Sequence, residues 1–244
     1  MARGYLSEIF VSFQGEGVHA GRRHLFVRLA GCNLRCRYCD TPESLERLPR
    51  YRVHAGDGRS REVANPVTPA TALADILPLL DGAPVDGLAV TGGEPLMQAD
   101  FLAELLADGR LPRPRLLETN GMLPEPLGDV LAVVDVVSMD IKLPSNSGER
   151  PLWEPHARFL ARAGAKAYVK VLIDAGTDVA DVEQAADLVR LQAPGASLFL
   201  QPITDAAGRI DIDAAGMTRF FAAARVRHAD VRLLPQAHKT LAIQ

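Results

Sequence analysis

The chain has 244 residues, of which 48% are apolar and 23% charged, with 27 lysines and arginines against 30 aspartates and glutamates. Disordered chains have far less apolar content, and a chain of this length can bury about 70–75% of its unfolded surface without a disulfide or metal to support it. The net charge of −3 disfavours binding to nucleic acid, which requires clustered positive charge. We also find no apolar leader and no run of the ~18 apolar residues that a membrane span needs, so we expect a cytoplasmic protein without membrane contact.

Short apolar, β-branched runs alternate along the chain with stretches of helical periodicity. Strands and helices that alternate at intervals of roughly 20–35 residues indicate parallel βαβ units. We therefore predict an α/β fold that forms a single domain over residues 1–244. The predicted strands are 25–30, 87–91, 115–118, 133–138, 167–173, 197–200 and 230–234, and the predicted helices are 98–109, 125–133, 155–163, 179–192 and 213–225.

One segment, 45–69, does not fit the alternation. It contains several arginine, glutamate, glycine and proline residues and has little periodicity. We interpret it as a surface excursion, either a solvated loop or a hairpin with strands near 51–53 and 61–63 around the turn Gly56-Asp57-Gly58. No function follows from its composition.

Polar residues collect where the predicted strands end. In parallel α/β folds the carboxyl ends of the strands converge on one face, where ligands bind. We therefore expect these clusters to build one pocket, although loops are also polar simply because they are exposed. The clusters are 31–41, 91–95, 118–121, 138–142, 201–204 and 235–239.

The chain has only three cysteines, Cys32, Cys36 and Cys39, and they fall within eight residues. An odd number disfavours a disulfide framework. A structural zinc site requires four ligands, and a [4Fe–4S] cluster usually takes four cysteines, so three would leave one iron open to a small molecule. Three buried free thiols or a zinc site remain alternatives. The nearest candidates for a fourth zinc ligand are Asp40, His19, His24 and His54.

The Cys32-x3-Cys36-x2-Cys39 spacing after a predicted strand resembles the cluster motif of radical S-adenosylmethionine (SAM) enzymes. The run 91–95, Thr-Gly-Gly-Glu-Pro, is similar to the second motif of that superfamily, in which the backbone and the glutamate hold the SAM ammonium group. The run 13–17, Phe-Gln-Gly-Glu-Gly, with Arg28 and the run 39–41, Cys-Asp-Thr, narrows the resemblance to the 7-carboxy-7-deazaguanine synthase family. The resemblance extends from about residue 7 to the C-terminus.

The resemblance implies an incomplete (β/α) barrel with the active site at the carboxyl ends of its strands. It implies a radical ring contraction, a lyase reaction of queuosine and deazapurine biosynthesis, in which 6-carboxy-5,6,7,8-tetrahydropterin loses ammonia to give 7-carboxy-7-deazaguanine. The implied cofactors are a [4Fe–4S] cluster, SAM that is regenerated, and Mg²⁺. The implied partners are the small-molecule pterin, an electron donor such as a flavodoxin, and a second copy of the chain. The sequence offers no side chain that we assign as a general acid or base.

The resemblance also assigns residues to these ligands. It implies that Cys32, Cys36 and Cys39 bind the cluster and that Thr41 contacts Mg²⁺. The implied SAM contacts are Tyr38, Cys39, Asp40, Gly93, Glu94, Ser138, Met139, Asp140, Gln201, Pro202, Ile203 and Thr204. The implied substrate contacts are Phe13, Gln14, Gly15, Glu16, Arg28, Thr91 and His238, although Arg28 could instead form a structural ion pair and His238 could be a surface residue. Some family members end in a proline whose carboxylate reaches the substrate, whereas this chain ends in glutamine, so Gln244 receives no role.

Two rival functions stay open at this point. A radical SAM activating enzyme would share the cluster but would install a glycyl radical on a protein partner. A zinc-binding interaction module would contain one zinc ion and no iron. Identification of a protein partner would favour the first, and metal analysis would identify the second.

Overall fold

The computed structural model describes residues 2–56, 58–82, 84–205 and 207–241. Within these ranges, ten strands form one sheet in the order β10-β9-β8-β7-β6-β5-β2-β1-β3-β4. The strands are β1 Leu6–Phe13, β2 Arg23–Leu29, β3 Arg50–His54, β4 Ser60–Ala64, β5 Gly87–Gly92, β6 Arg115–Thr119, β7 Val136–Ile141, β8 Ala167–Ile173, β9 Leu198–Pro202 and β10 Val231–Leu233. Because β4 and β10 lie at opposite edges, the sheet does not close into a full barrel.

The strands predicted from apolar runs form the parallel part of this sheet. In the described residues, β2 and β5 to β10 pair in parallel from one neighbour to the next. Strands of this kind are covered on both faces, which is why they appear in the sequence as nearly continuous apolar runs. The open parallel arrangement confirms the predicted incomplete barrel, and it places the carboxyl ends of these strands at one end of the sheet.

Helices connect the strands and cover the outer face of the sheet. They are α1 Pro69–Leu80, α2 Ala99–Leu106, α3 Pro124–Val130, α4 Pro144–Ser147, α5 Trp153–Ala163, α6 Val179–Gln192, α7 Ala214–Arg227 and α8 Ala237–Thr240. The periodicity of 179–192 predicted α6 correctly, and its buried face includes Val182, Ala185 and Val189. In the described ranges, no helix combines the length and apolar character that a bilayer crossing requires.

The strand predicted at 133–138 is wrong at its start, because β7 begins at Val136. The amides of Val133 and Val134 both donate to the carbonyl of Val130, at 3.0 and 3.2 Å, and so complete the turn that follows α3. Only at Asp135 does the chain join the sheet, where its amide donates to the carbonyl of Arg115 at 2.9 Å. An apolar run does not by itself reveal where a helical turn ends and a strand begins.

The segment 45–69 contains a hairpin, which was one of the two alternatives that its sequence left open. β3 and β4 pair antiparallel with Tyr51 opposite Val63, while Asp57 in the connecting turn lies outside the described residues. β3 also pairs in parallel with β1, and Tyr51 and Val53 are buried. β1, which was not predicted, runs antiparallel to β2. The hairpin therefore extends the sheet and contributes to the core.

Alternation along the strands divides the side chains between two faces. Residues such as Val90, Met139 and Val171 belong to the large core beneath the helices. The opposite, inner face has a smaller apolar cluster near the start of the strands, and polar residues follow it towards the carboxyl ends. This inner cluster consists of Phe10, Phe26, Ala89, Leu116, Tyr168 and Phe199.

We predict that Tyr51→Phe lowers the free energy of unfolding by about 1.5–3 kcal/mol, because a hydrogen bond to a charged group is lost inside the core. The hydroxyl of Tyr51 donates to Asp75 on α1, and Arg61 on β4 pairs with the same carboxylate at 2.6 Å. Chemical denaturation measures the change. Arg61→Gln is the control and should cost less, because that side chain is 54% exposed. If the stability of Tyr51→Phe is unchanged, the hydrogen bond between Tyr51 and Asp75 does not stabilise the fold as we predict.

Candidate functional site

A cavity of about 390 Å³ opens at the carboxyl ends of the parallel strands. The polar clusters that follow separate strands in the sequence meet here, as predicted. The predicted site residues that line it are Phe13, Gln14, Gly15, Glu16, Arg28, Cys32, Cys36, Tyr38, Cys39, Asp40, Thr41, Thr91, Gly93, Asp140, Gln201, Ile203 and His238. The residues predicted as cluster, SAM, Mg²⁺ and substrate contacts are therefore represented in one cavity.

The cysteine loop begins directly after β2 and is closed at its base by backbone bonds. The amide of Gly31 donates to the carbonyl of Ser44 at 2.8 Å, and the amide of Cys32 donates to that of Leu45 at 3.0 Å. All three cysteines are free and partly exposed. Burial raises the pKa of the Cys32 and Cys36 thiols. Since thiolates are the metal-binding form of cysteine, a bound metal must supply the stabilisation that the cavity does not.

The turn after β5 is bonded to the first residues of this loop. The amide of Gly93 donates to the carbonyl of Leu29 at 3.1 Å, and the amide of Glu94 donates to that of Gly31 at 2.8 Å. A Cβ on Gly93 would lie 2.2 Å from the oxygen of Gly31, and Gly92 has a φ of +137°. Two glycines are therefore required, one for close approach and one for backbone conformation. The two sequence motifs form one structural unit.

Glu94 does not line the cavity, although it was predicted to contact SAM. Its carboxylate is fully buried and accepts hydrogen bonds from the amides of Leu96 (3.0 Å) and Asn120 (2.8 Å) and from the hydroxyl of Thr119 (2.9 Å). Burial raises the pKa of Glu94 to about 7, and these three bonds offset only part of that effect. The side chain joins the turn after β5 to the end of β6.

Four other predicted SAM contacts also lie away from the cavity lining. Met139 faces the core beneath the helices, because it is on the opposite face of β7 from Asp140. Ser138 lies on the inner face but is fully buried. Pro202 and Thr204 flank Ile203, which does line the cavity. A contiguous run on a strand cannot direct all its side chains to one ligand, since neighbours point to opposite faces.

Charges of alternating sign form a row along the lining of the cavity, and we call them the charge row: Lys142, Asp140, Lys170 and Glu16. Lys142 lies 3.0 Å from one oxygen of Asp140, and Lys170 lies 3.4 Å from the other. Lys170 also pairs directly with Glu16. The ε-ammonium of Lys142 sits over the ring of Tyr38, 5.6 Å from its centroid. The row connects β7 and β8 to the loop after β1.

Several cavity residues were not singled out in the sequence. Their position along the predicted strands could have indicated them, because Lys142 and Lys170 continue the alternation of side chains that face the inner side of the sheet. Glu118 has the same position on β6, and it accepts a hydrogen bond from Gln14 at 2.7 Å. Lys239 pairs with Asp40 at 3.0 Å across the cavity mouth. The clusters predicted to form the pocket already included Glu118, Asn120, Lys142, Gln236 and Lys239, although none of them was assigned a role, and only Lys170 lies outside those clusters.

Residues 27–190 match the profile of the Radical SAM superfamily. A 7-carboxy-7-deazaguanine synthase from Geobacter sulfurreducens is 36% identical over 96% of this chain and 95% of its own length. One from Methanopyrus kandleri is 38% identical over 95% and 91%. The chain belongs to the 7-carboxy-7-deazaguanine synthase family of radical SAM enzymes. The crystal structure of QueE from Escherichia coli superposes with a TM-score of 0.59 at 20% identity, covering 97% of this chain and 95% of that one, and so shares the fold.

Radical SAM enzymes use a [4Fe–4S] cluster and SAM, and the described residues fit both. The three thiols line one cavity, as a cluster with an open iron requires. Tyr38 Oη and Gln201 Oε1, on cavity-lining residues, are buried without a hydrogen-bond partner. With a polar ligand, the hydroxyl can donate or accept a hydrogen bond and the amide oxygen can accept one. Of the four residues considered as a further zinc ligand, only Asp40 lines the cavity. The described residues contain no group of three His, Cys, Asp or Glu arranged around a single metal ion.

We predict that Cys36→Ala prevents assembly of the cluster but leaves the chain folded, because the core does not depend on the cysteine loop. Iron and sulfide analysis after anaerobic reconstitution measures the first effect, and circular dichroism measures the second. Ser44→Ala is a control from the base of the same loop that leaves all three thiols in place. A Cys36→Ala protein with a full complement of iron would overturn the ligand assignment.

We also predict that Glu94→Gln changes how stability depends on pH. The folded-state pKa of about 7 is above the ordinary value of 4.5, so the natural protein binds more protons when folded and loses stability as pH rises between these values. The loss amounts to about 3 kcal/mol, and the variant cannot show it because an amide does not titrate. Denaturation of both proteins side by side from pH 4.5 to 8 tests this, and parallel profiles would refute it.

Proposed function

We propose that this chain converts 6-carboxy-5,6,7,8-tetrahydropterin to 7-carboxy-7-deazaguanine with loss of ammonia, as a step of queuosine and deazapurine biosynthesis. The observation that carries the proposal is the meeting of Gln14, Glu16 and Arg28 with the three-cysteine loop in one cavity, in a chain whose relatives carry that activity in their name. An activating enzyme for a glycyl-radical protein would need a surface that admits a protein loop, and a zinc module would need no such cavity.

We propose that Cys32, Cys36 and Cys39 hold the cluster and that SAM binds beside them. When bound, the cluster and SAM supply the one-electron chemistry that starts a radical rearrangement. Seven of the predicted SAM contacts support this placement because they line the cavity: Tyr38, Cys39, Asp40, Gly93, Asp140, Gln201 and Ile203. The inner cluster below the site is mainly aromatic and aliphatic, and exclusion of water by such a surface protects reactive intermediates.

Arg28 is well placed to bind the carboxylate of the pterin. Its Nε donates to Glu8 at 2.8 Å, and its guanidinium lies over the ring of Phe10, 5.6 Å from the centroid. The ion pair considered from the sequence therefore exists, and it orients the group. Since Glu8 is bonded through Nε, the two terminal amino groups can form the paired bonds that guanidinium makes with carboxylates.

The charges of the cavity suit an anionic pterin together with SAM, which carries a sulfonium, an ammonium and a carboxylate. Among the lining residues described, four cations face four carboxylates, so a substrate carboxylate and the charges of SAM can each meet an opposite charge. The cations are Arg28, Lys142, Lys170 and Lys239, and the carboxylates are Glu16, Asp40, Glu118 and Asp140.

The remaining parts of the proposal concern Mg²⁺, partners and compartment. Thr41 lies in the cysteine loop and lines the cavity, which supports a contact between its hydroxyl and Mg²⁺. Mg²⁺ usually keeps several water ligands and binds substrate oxygens, so one protein contact is sufficient. A flavodoxin-type donor would supply the electron, and the chain would act as a homodimer. Three free thiols in a cluster loop suit a reducing compartment, which supports the cytoplasm.

Anaerobic assay of the reconstituted protein with 6-carboxy-5,6,7,8-tetrahydropterin, SAM, Mg²⁺ and dithionite should yield 7-carboxy-7-deazaguanine. Arg28→Gln should raise KM for the pterin by roughly 30- to 150-fold, equivalent to the loss of about 2–3 kcal/mol of charged hydrogen bonding. Arg190→Gln, on the outer surface of α6, is the control and should match the natural protein. Cleavage of SAM without the deazaguanine product would refute the proposed function.

A further inference from the structure

Lys170 is the most enclosed charge in the cavity. It lies on the inner face of β8 between Tyr168 and Leu172, and its side chain is only 5% exposed. It pairs with Glu16, 154 residues earlier in the chain, and with Asp140 at 3.4 Å. A cation this deeply buried requires charged partners, since desolvation alone is unfavourable.

The two carboxylates depend on Lys170 to different degrees. Asp140 has a second cation, Lys142, at 3.0 Å. Glu16 receives its other bonds from neutral amides, Gln201 at 2.8 Å and Gln236 at 2.9 Å, both to the oxygen that Lys170 does not contact. Loss of Lys170 would leave Asp140 paired and would leave Glu16 a buried carboxylate with amide donors only.

The same contacts determine which part of Glu16 faces the cavity. A carboxylate has about four acceptor positions, and Lys170, Gln201 and Gln236 occupy three of them. The acceptor position that remains is on Oε2 of Glu16, the oxygen that Lys170 contacts. An N–H of the pterin that approaches Glu16 therefore meets an acceptor whose direction Lys170 has fixed.

We propose that Lys170 is a positioning residue that keeps Glu16 ionised and oriented, and that it thereby controls affinity for the pterin rather than for SAM. This inference rests on the proposed function, because it concerns how that cavity recognises its substrate. Lys142 is its counterpart on the SAM side of the charge row, where it contacts Asp140 and the ring of Tyr38.

The groups around Glu16 make its ionisation depend mainly on Lys170. Burial by itself would raise the pKa of Glu16, and the charge and hydrogen bond of Lys170 instead hold that pKa at about 2. Gln236 and the imidazole of His238 at the C-terminal end of the chain act in the same direction with smaller effect, and Gln201 on β9 is neutral. Burial by itself would lower the pKa of Lys170, and the charges of Asp140, Glu16, Glu118 and Tyr168 instead keep it well above its ordinary value; Tyr168 also lies close enough to Glu16 to interact with it.

Stability measurements test the ionisation of Glu16 without any cofactor. In Lys170→Met, the pKa of Glu16 should lie above its unfolded-state value, so the folded protein binds the extra proton and the denaturation midpoint falls as pH rises from 5.5 to 8. The matched double variant Lys170→Met/Glu16→Gln should show no such additional fall. Repeating the comparison in a His238→Gln background removes the imidazole as a second source of positive charge.

Steady-state kinetics tests the consequence for the substrate. Lys170→Met should raise KM for the pterin at least tenfold at pH 7 and change KM for SAM less than threefold, and Lys170→Arg should restore most of the pterin affinity. Lys142→Met should do the opposite and raise KM for SAM more than KM for the pterin. A residue that only supports the fold would alter both KM values together, and arginine would not rescue one selectively.

Two results would overturn the inference: equal pH profiles for the single and double variants, or a Lys170→Met enzyme whose pterin KM is unchanged. A fall in the midpoint specific to Glu16, together with the selective KM change, supports it. If the natural protein converts no pterin, the proposed function fails, and the denaturation profiles still decide whether Lys170 controls the ionisation of Glu16.

Discussion

The site depends on two backbone hydrogen bonds, from the amides of Gly93 and Glu94 to the carbonyls of Leu29 and Gly31. They join the turn after β5 to the start of the cysteine loop at a distance that only glycine allows at position 93. Because β2 and β5 are neighbours in the parallel sheet, the bonds need no long side chains to span a gap. The backbone itself thereby keeps the cysteine loop adjacent to the turn after β5.

Along the inner face of the sheet, the residue type changes from the start of the strands to their carboxyl ends. The aromatic and apolar residues near the start of the strands close the base of the cavity, and polar inward positions follow further along the strands. The charge row then connects the end of β7 to the loop that carries Gln14 and Glu16. Glu94 and Glu8 both show that a residue can serve the site by holding another group, since Glu94 ties two loops together and Glu8 orients Arg28.

Local sequence signals predicted much of this arrangement. The strands of the parallel sheet followed from their apolar runs, α6 from its periodicity, and the three-cysteine loop from its spacing. β1 was missed because its burial does not alternate regularly, and β7 was misplaced because Val133 and Val134 complete a helical turn. The partnership of Lys170 with Glu16 could not be predicted, because a contact over 154 residues depends on the whole sheet. Motif resemblance likewise predicted Met139 as a SAM contact, whereas the alternation of side chains along β7 directs it into the core.

The central claim is that the three cysteines hold a [4Fe–4S] cluster with one iron left open for SAM. Electron paramagnetic resonance of the anaerobically reconstituted and reduced protein, recorded before and after addition of SAM, tests this directly. We predict a reduced-cluster signal whose g values shift when SAM is added, because SAM binds the open iron. A protein without a cluster, or a cluster signal that SAM leaves unchanged, would contradict the account.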